Sequence, residues 1–430
     1  MTTVICPYCF ARGPAHRLRY RCLMTRSGVR GGRQPCSPRR DDAWAEFKGG
    51  TAAPQARMRG PVFDVRRTLG PGGNRAACPD CGVLTPVRVC ASCHSDLPSD
   101  YCDQDSRIIA LVGAKATGKS TYVTVLVNEL RHRVGTAYRG ALAAMGSDTQ
   151  RRDKEMAAEL YDRLHLPGAT PPAALGFNEP LLYRLSLPSA GRFGDGSRHT
   201  ALVFFDAAGE DLGDAAAVDR YTDYLAAADG IILLVDPLQL PAVREELPPG
   251  EGPPLPRMET SPQQIAADIA GQLRGHGRRG ARGRVSTPLA VALTKTDMVR
   301  PLLPPQSPLL RNARHDGGAF DDVDRIAVHE EVRSLLEGWD GGELHRRLDR
   351  DFADVSFFGL SALGSPPPAT APADVPKSGP QPVRVEDPLL WLLTRRGLLP
   401  VRKAKEGPVG KAKEGLVRKA KEGMTRGGGT

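Results

Sequence analysis

The segment Ile108-Ile-Ala-Leu-Val-Gly113-Ala-Lys-Ala-Thr-Gly118-Lys119-Ser120 decides the fold of this chain. Its apolar start predicts a buried strand, and the pattern after Lys119 predicts a helix. Between them, Gly113 to Ser120 fit the phosphate-binding loop pattern G-x-x-x-x-G-K-[ST]. A strand, this loop and a helix in succession are the context in which the pattern binds nucleotide phosphates. We therefore expect a nucleotide-binding α/β domain.

Each residue of this loop has an expected role. Gly113 and Gly118 let the backbone curl, so that the loop amides point at the β-phosphate. Lys119 would bridge the β- and γ-phosphates and act in catalysis, and the Ser120 hydroxyl would be a ligand of Mg²⁺. The predicted phosphate-binding set is Gly113, Ala116, Thr117, Gly118, Lys119, Ser120 and Thr121.

The rest of this region alternates strand and helix patterns. Apolar runs predict six strands in all, at residues 108–112, 181–187, 201–205, 230–235, 289–293 and 355–359. Helical patterns lie at residues 211–227, 263–273, 328–339, 343–350 and 388–395. This order predicts a mostly parallel six-stranded sheet with helices on both faces. The run at 181–187 lies at hairpin distance from 201 and is expected to form an antiparallel edge.

A second motif follows the third strand. Asp206-Ala-Ala-Gly209-Glu210 fits the pattern D-x-x-G. Asp206 would hold Mg²⁺ through water and take part in catalysis, and the Gly209 amide would contact the γ-phosphate.

Two further motifs bear on the choice of base. Thr294-Lys295-Thr296-Asp297 resembles N-K-x-D, in which the aspartate accepts hydrogen bonds from guanine N1 and N2 while the Lys295 stem packs over the base. Because Thr294 replaces the asparagine, we expect a weaker bond between this loop and the phosphate loop. Ser361-Ala362-Leu363 is similar to S-A-K, whose backbone amide recognises the guanine carbonyl, with leucine in place of lysine. The order of the four motifs along the strand ends predicts a P-loop GTPase fold.

The residues for hydrolysis depart from the usual pattern. Glu210 stands where glutamine usually orients water, and a carboxylate beside a triphosphate would be repelled. We expect slow intrinsic hydrolysis; Glu210 could equally be an acid at a helix start. Thr170 is the candidate for the threonine of the first switch, the alternative being an ordinary loop residue.

The nine cysteines all lie within residues 1–104, and six of them form Cys-x-x-Cys pairs. This spacing is typical of zinc ribbons rather than disulfides. We expect one zinc site from Cys78, Cys81, Cys90 and Cys93. A second would use Cys6, Cys9, Cys22 and Cys36, with Cys102 as an alternative to Cys36 and His16 or His94 as substitutes. A flexible insert is expected at 25–74.

The remaining boundaries follow from composition. The GTPase domain is predicted at 106–398, with proline-rich insertions at 240–262 and 364–382. Residues 399–430 are predicted to be a disordered basic tail, since Lys-Ala-Lys-Glu-Gly recurs there at 403–407, 411–415 and 419–423.

The net charge of +10 favours acidic partners. Nucleic acid bound through the tail is a less favoured alternative. In the cysteine region, sparse aromatic residues favour protein docking over nucleic-acid binding. With no leader and no apolar run of membrane-spanning length, we expect a cytoplasmic protein.

The four motifs make residues 106–398 resemble the Ras-like, translation-factor class of P-loop GTPases. The cysteine segments and the segment Val385 to Leu393 further resemble bacterial zinc-ribbon-bearing proteins called the double-GTPase type two family. The resemblance implies a Mg²⁺-dependent GTP-hydrolysing switch, which acts on a protein effector or activator in bacterial signalling or conflict systems. The alternatives are a non-catalytic guanine-nucleotide-binding adaptor, whose zinc ribbon and tail recruit nucleic acid or an acidic protein, and a switch that forms a nucleotide-dependent dimer.

Overall fold

A computed structural model describes residues 3–48, 57–64, 75–168, 179–191, 194–206, 222–247, 261–313, 318–340, 342–368 and 371–402. No helix within these ranges is long and apolar enough to cross a membrane.

Short strands and one helix make up the described cysteine-rich region. The strands are β1 Thr3–Ile5, β2 Arg12–Pro14, β3 Arg19–Arg21, β4 Arg39–Arg40, β5 Met58–Arg59, β6 Val62–Phe63, β7 Ala76–Ala77, β8 Leu84–Thr85, β9 Arg88–Val89 and β10 Asp96–Leu97. Helix α1 spans Asp42–Lys48. A four-stranded sheet has the order β10-β9-β3-β6, and the other strands form two-stranded pairs. Elements β4, α1, β5 and β6 fall inside the segment expected to be a flexible insert.

A seven-stranded sheet forms the centre of the larger domain, with the order β12-β13-β14-β11-β15-β16-β18. The strands of this half of the chain are β11 Asp105–Gly113, β12 Ala141–Ala144, β13 Leu181–Gly191, β14 Gly194–Asp206, β15 Gly230–Val235, β16 Leu289–Leu293, β17 Phe320–Asp321, β18 Val355–Gly359 and β19 Val401–Arg402. Strands β14, β11, β15, β16 and β18 are parallel. Strand β13 is antiparallel to both of its neighbours.

The prediction of six strands was wrong by one. Strand β12 has the sequence Ala-Leu-Ala-Ala, which is too short and too rich in alanine to show a strand pattern. It pairs with β13, so β13 is antiparallel as predicted but does not form the edge of the sheet. The sheet is therefore mixed.

Helices cover both faces of this sheet. They are α2 Lys119–Glu129, α3 Gly135–Tyr138, α4 Ser147–Ala157, α5 at residues 222–227, α6 Pro241–Glu246, α7 Pro262–Gly275, α8 Asp322–Asp340, α9 Glu343–Asp351 and α10 Asp387–Arg395. Alternate residues of β11 face opposite sides: Ile108 belongs to the core that includes residues of α7, α8 and α9, whereas Ile109 belongs to the core that includes residues of α2 and α10. This alternation gives the domain two apolar cores.

Some residues expected to be irregular have regular structure. Helix α6 lies in the insertion expected at 240–262, where Pro241 occupies the first helical position, the one place where proline suits a helix. Strand β19 begins the expected tail and pairs with β17. The remainder of the tail, 403–430, lies outside the described residues, as do 211–221 of the helix predicted at 211–227.

The cysteine-rich region packs directly on the larger domain. Val4, Ile5 and Phe10 belong to the core that contains α7, α8 and α9. The Phe10 ring lies 5.4 Å from the ring of Tyr224, measured between centroids. The Arg12 guanidinium donates a hydrogen bond of 3.2 Å to the carbonyl of Ala227.

Candidate nucleotide site

The carboxyl ends of the five parallel strands lie along one edge of the sheet. Gly113 at the end of β11 pairs with Leu234 of β15, and Leu293 at the end of β16 pairs with Gly359 at the end of β18. Asp206 ends β14 at the same edge, opposite Leu111. The topology thus brings the phosphate loop, the T-K-x-D segment and the S-A-x segment to one place, which is where open parallel sheets bind ligands.

The phosphate loop requires glycine at its first position. A Cβ atom on Gly113 would lie 2.7 Å from the Thr117 Oγ1 and 2.8 Å from the Leu234 carbonyl oxygen. The Thr117 hydroxyl occupies this space and donates a hydrogen bond of 2.9 Å to the Ala114 carbonyl. Gly118 has a φ of 86°, in the left-handed region that favours glycine. These constraints hold the loop in a tight curl of the kind that receives phosphate oxygens.

Helix α2 begins directly after this curl. Its N-cap is Gly118, which has no side chain to accept hydrogen bonds from the first amides of the helix. The first turn contains no acidic residue. Such a terminus carries partial positive charge and exposed N–H donors. The Lys119 ammonium group lies back on the loop, 3.0 Å from the carbonyl oxygen of Gly113 and 3.1 Å from that of Ala114. The donor set therefore fits a phosphate group.

Asp297 and Ser361 meet at the other end of the site. The Ser361 hydroxyl donates a hydrogen bond of 2.5 Å to the Asp297 Oδ1 and accepts one of 2.7 Å from the Gly364 amide. Burial raises the pKa of the Asp297 carboxyl above its usual range, and the bond from Ser361 opposes that rise. Two residues that the sequence motifs singled out separately thus form one unit.

Leu363, which replaces the lysine of S-A-K, has a packing role. Its side chain is buried in the core that contains α2 and α10. Ala362 packs against the same core from a half-buried position. The departure from the motif therefore places an apolar side chain in an apolar environment.

Asp236 was missed by the sequence motifs. It follows β15 directly and is 1% exposed. Its Oδ1 accepts a hydrogen bond of 3.0 Å from the Leu238 amide, and its Oδ2 accepts one of 2.6 Å from the Lys295 ammonium group. The signal was an acid placed immediately after a continuously apolar strand, a position at the carboxyl edge.

Lys295 joins two strand ends to the phosphate loop. Besides Asp236, its ammonium group contacts the Ala116 carbonyl oxygen at 2.9 Å. Its backbone has a φ of 53°, which turns the chain after β16. Thr294 instead turns back towards β15, with its hydroxyl 3.4 Å from the Val235 carbonyl oxygen.

Ser120 and Thr121 lie in the first turn of α2. Thr170, Gly209 and Glu210 lie outside the described residues, and of Asp206 only the backbone is described. Their roles stay predictions.

The cysteines form two groups of four, but not the groups expected from spacing. Cys6 and Cys9 lie with Cys90 and Cys93, and Cys22 and Cys36 lie with Cys78 and Cys81. The predicted pairing was therefore wrong, because the folded chain crosses over and exchanges the partners of the two Cys-x-x-Cys segments at 78–81 and 90–93. Neither Cys102 nor any histidine in the described part of the chain belongs to these groups; the His94 ring lies 2.7 Å from the Asp41 carboxylate.

Each group has the geometry of a zinc site. The sulfur atoms of Cys6 and Cys93 are 3.7 Å apart, and those of Cys22 and Cys81 are 3.6 Å apart. A tetrahedron of thiolates around Zn²⁺ has edges of about 3.8 Å, whereas a disulfide bond is about 2 Å long. No cysteine is in a disulfide. Burial disfavours the Cys81 thiolate, but hydrogen bonds from Val83 and the neighbouring thiols lower its pKa to about 7.

Residues 107–347 match the family Double-GTPase 2, over more than half of the chain. The chain belongs to this family. It is also 28% identical over 347 residues to the putative ESX-1 scaffolding and assembly protein SaeC of Mycolicibacterium smegmatis. This match covers 73% of this chain and 81% of SaeC. Membership of a GTPase family supports GTP as the ligand of this double-GTPase protein.

Two solved structures show a limited similarity to this double-GTPase protein. Translation elongation factor SelB from Methanococcus maripaludis is 11% identical, with a TM-score of 0.24, over 71% of this chain and 36% of SelB. The G domain of the T. maritima FeoB iron transporter is 13% identical, with a TM-score of 0.18, over 45% of this chain and 76% of that domain. This chain thus spans about a third of the SelB chain.

Proposed function

We propose that this double-GTPase protein is a Mg²⁺-dependent switch that binds GTP, hydrolyses it slowly and changes its affinity for a protein partner. One observation carries the proposal. The same edge of the sheet presents a curled phosphate loop at the start of α2 and, two strands away, the Asp297–Ser361 pair. A nucleoside triphosphate could place its phosphates in the loop and its base at the Asp297–Ser361 pair.

The phosphate end would work through backbone donors and Lys119. The ammonium group is already within 3.1 Å of the loop carbonyls, so a small movement brings it to a phosphate bound in the curl. Ser120 and Asp206 would hold Mg²⁺, which neutralises charge on the phosphate oxygens when bound. The Gly209 amide and the Thr170 hydroxyl are proposed to contact the γ-phosphate.

The base end would select guanine. The Asp297 carboxylate can accept hydrogen bonds from N1 and N2 of guanine, and adenine offers no such pair of donors at that edge. The bond from Ser361 fixes the orientation of the carboxylate, which limits the entropy lost on binding. Lys295, held by Asp236 and Ala116, would cover the base.

Hydrolysis is proposed to be slow without a partner. Glu210 has a carboxylate where a glutamine amide usually orients the attacking water, and the negative charge opposes an anionic transition state. The same residue favours a second candidate function, a non-catalytic adaptor that binds GTP without turnover.

The output is proposed to be protein assembly in the cytoplasm. SaeC, the relative covering most of this chain, is named a putative scaffolding and assembly protein. The zinc sites would be structural and would give the small cysteine-rich region a rigid docking surface. A nucleotide-dependent dimer is an alternative form of the same output, and nucleic acid is the less favoured partner.

Purified protein tests these proposals in two separate assays. Equilibrium binding of fluorescent GTP and ATP should show Mg²⁺-dependent GTP binding, which Lys119→Ala should weaken at least about 100-fold by removing a charge-assisted contact. Lys154→Ala, an exposed lysine on α4, is the matched control and should bind as wild type does.

Single-turnover phosphate release then separates the switch from the adaptor. Slow release that a captured partner accelerates supports the switch. Tight GTP binding without any phosphate release, with or without the partner, would contradict the switch and support the adaptor.

A further inference from the structure

The T-K-x-D segment lacks the side chain that usually ties it to the phosphate loop. Thr294 is 3% exposed, and its hydroxyl points to Val235 rather than to the loop. Yet the two parts must keep a fixed spacing, because one nucleotide has to reach both. Lys295 supplies one tie through its bond to the Ala116 carbonyl, and a second group takes the place that asparagine usually fills.

Gln239 supplies this second tie from the turn that follows β15. The turn Pro237–Gln239 is held by Asp236, whose side chain accepts from the Leu238 amide. The Gln239 side chain is 4% exposed, and its Nε2 donates a hydrogen bond of 3.2 Å to the Lys115 carbonyl oxygen. This bond lies next to the one from Lys295 to the Ala116 carbonyl. Two consecutive carbonyls of the phosphate loop are thus held by side chains from two strand ends.

The bond to Lys115 acts on a predicted phosphate donor. A trans peptide group is planar, so its carbonyl oxygen and the following N–H point in opposite directions. Drawing the Lys115 carbonyl towards Gln239 therefore turns the Ala116 N–H away from Gln239. Ala116 has a φ of 60°, a conformation that an alanine keeps only when its surroundings impose it.

Gln239 serves this contact and not the packing of the fold. Within the described residues its Oε1 is buried without a hydrogen-bond partner. An orphaned buried acceptor lowers the stability of a fold, so an apolar residue of similar length would suit the position better. The carboxamide is therefore retained for its donor.

We propose that Gln239 is a positioning residue of the nucleotide site, which replaces the missing asparagine of T-K-x-D by tying the β15 turn to the phosphate loop. This inference rests on the proposed GTP binding. It assigns Gln239 a part in holding the phosphates and none in selecting the base.

The test is a double-mutant cycle on nucleotide dissociation. Gln239→Leu should speed GDP and GTP dissociation about threefold to tenfold, the effect of one hydrogen bond. Thr294→Asn alone should change the rate little, but in the Gln239→Leu background it should restore slow dissociation by supplying the usual tie. Gln264→Leu, an exposed glutamine on α7, is the matched control.

Two further readouts separate positioning from a structural role. The unfolding temperature of nucleotide-free Gln239→Leu should equal or exceed that of wild type, because the orphaned acceptor is removed. The ratio of GTP to XTP affinity should not change, because the base is bound elsewhere. Gln239→Met, which keeps an unbranched chain, repeats the test if the leucine variant does not fold.

Either of two results overturns the inference. One is an unchanged dissociation rate in both Gln239 variants, and the other is faster dissociation that Thr294→Asn does not slow. If wild-type protein binds no guanine nucleotide, the proposed function itself fails, and this outcome is read before any variant is compared.

Discussion

The nucleotide edge and the cysteine-rich region prepare their ligand sites in opposite ways. At the edge, the proposed phosphate donors belong to eight consecutive residues, Gly113 to Ser120, and are mostly backbone groups. In the cysteine-rich region, side chains distant in sequence converge: Cys6 meets Cys93 across 87 positions, and Cys22 meets Cys81 across 59. The first site is a local conformation, whereas the second is a long-range crosslink.

This difference determines what the loss of each ligand does. The curl of the phosphate loop is held by contacts within the protein, made by Gly113, Thr117 and the neighbouring strand. The cysteine-rich region has short strands and small clusters built largely from the cysteines themselves. Its stability is therefore expected to come from bound zinc.

The largest expected effect comes from breaking the cysteine groups in pairs. Purified wild-type protein should contain two zinc ions. Cys6→Ser with Cys90→Ser removes ligands from one group and should leave one zinc per chain. Cys78→Ser with Cys90→Ser removes a ligand from each group and should leave none. Elemental analysis measures both.

The same variants test the crossed pairing against the sequential one. If Cys78, Cys81, Cys90 and Cys93 shared one zinc, the outcomes would be exchanged, with one zinc kept by the Cys78/Cys90 variant and none by the Cys6/Cys90 variant. Cys102→Ser is the control, since Cys102 is outside both groups, and it should keep two zinc ions.

A smaller effect is expected from the two glycines of the phosphate loop. Gly113→Ala forces a Cβ atom against the Thr117 hydroxyl and the Leu234 carbonyl, which should lower the free energy of unfolding by about 3 kcal/mol. Gly118→Ala meets no atom within 4 Å but strains a φ of 86°, and should cost about 1 kcal/mol. Urea denaturation compares them. Equal losses would show that the close contact at Gly113 does not hold the curl.

The smallest effect concerns the pH dependence of GTP affinity. Guanine recognition needs the Asp297 carboxylate, whose pKa burial raises, so affinity should fall as pH falls through that raised pKa. Ser361→Ala removes a bond that favours the charged form, and the loss should then begin at higher pH. The pH dependence of the free energy of unfolding has the opposite sign. Asp297 stabilises the fold at pH values below the pKa of its carboxyl in the unfolded chain, and this contribution is lost as pH rises through its pKa in the folded protein.

Titration of GTP binding against pH for wild type, Ser361→Ala and the exposed control Ser378→Ala checks this prediction. A profile that moves to lower pH in Ser361→Ala would contradict it.

Much of the larger domain could be predicted from the sequence because its signals are local. Apolar runs located the six longer strands, and the phosphate loop pattern located the start of α2 at Lys119. Strand β12 was not predicted, because four residues, three of them alanine, show no periodicity. Asp236 and Gln239 were not predicted from the sequence, because their roles depend on which strand ends become neighbours, and no local pattern shows this.

The cysteine groups show the same limit more sharply. The sequence singled out all eight cysteines of the two groups but assigned their partners wrongly. Each Cys-x-x-Cys segment presents the same two thiols to any partner, so the pairing is decided by how the strands between them cross. Conformations confined to a few residues can be predicted from a single sequence, and long-range crosslinks cannot.

Base exchange at Asp297 tests the central claim most directly, namely that this edge is a guanine nucleotide site. Wild-type protein should bind GTP in preference to ATP and XTP. Asp297→Asn should weaken GTP binding about 100-fold or more, through the loss of charged hydrogen bonds, and should favour XTP. Equal affinity of wild-type protein for ATP and GTP, or unchanged GTP affinity in Asp297→Asn, would contradict the claim.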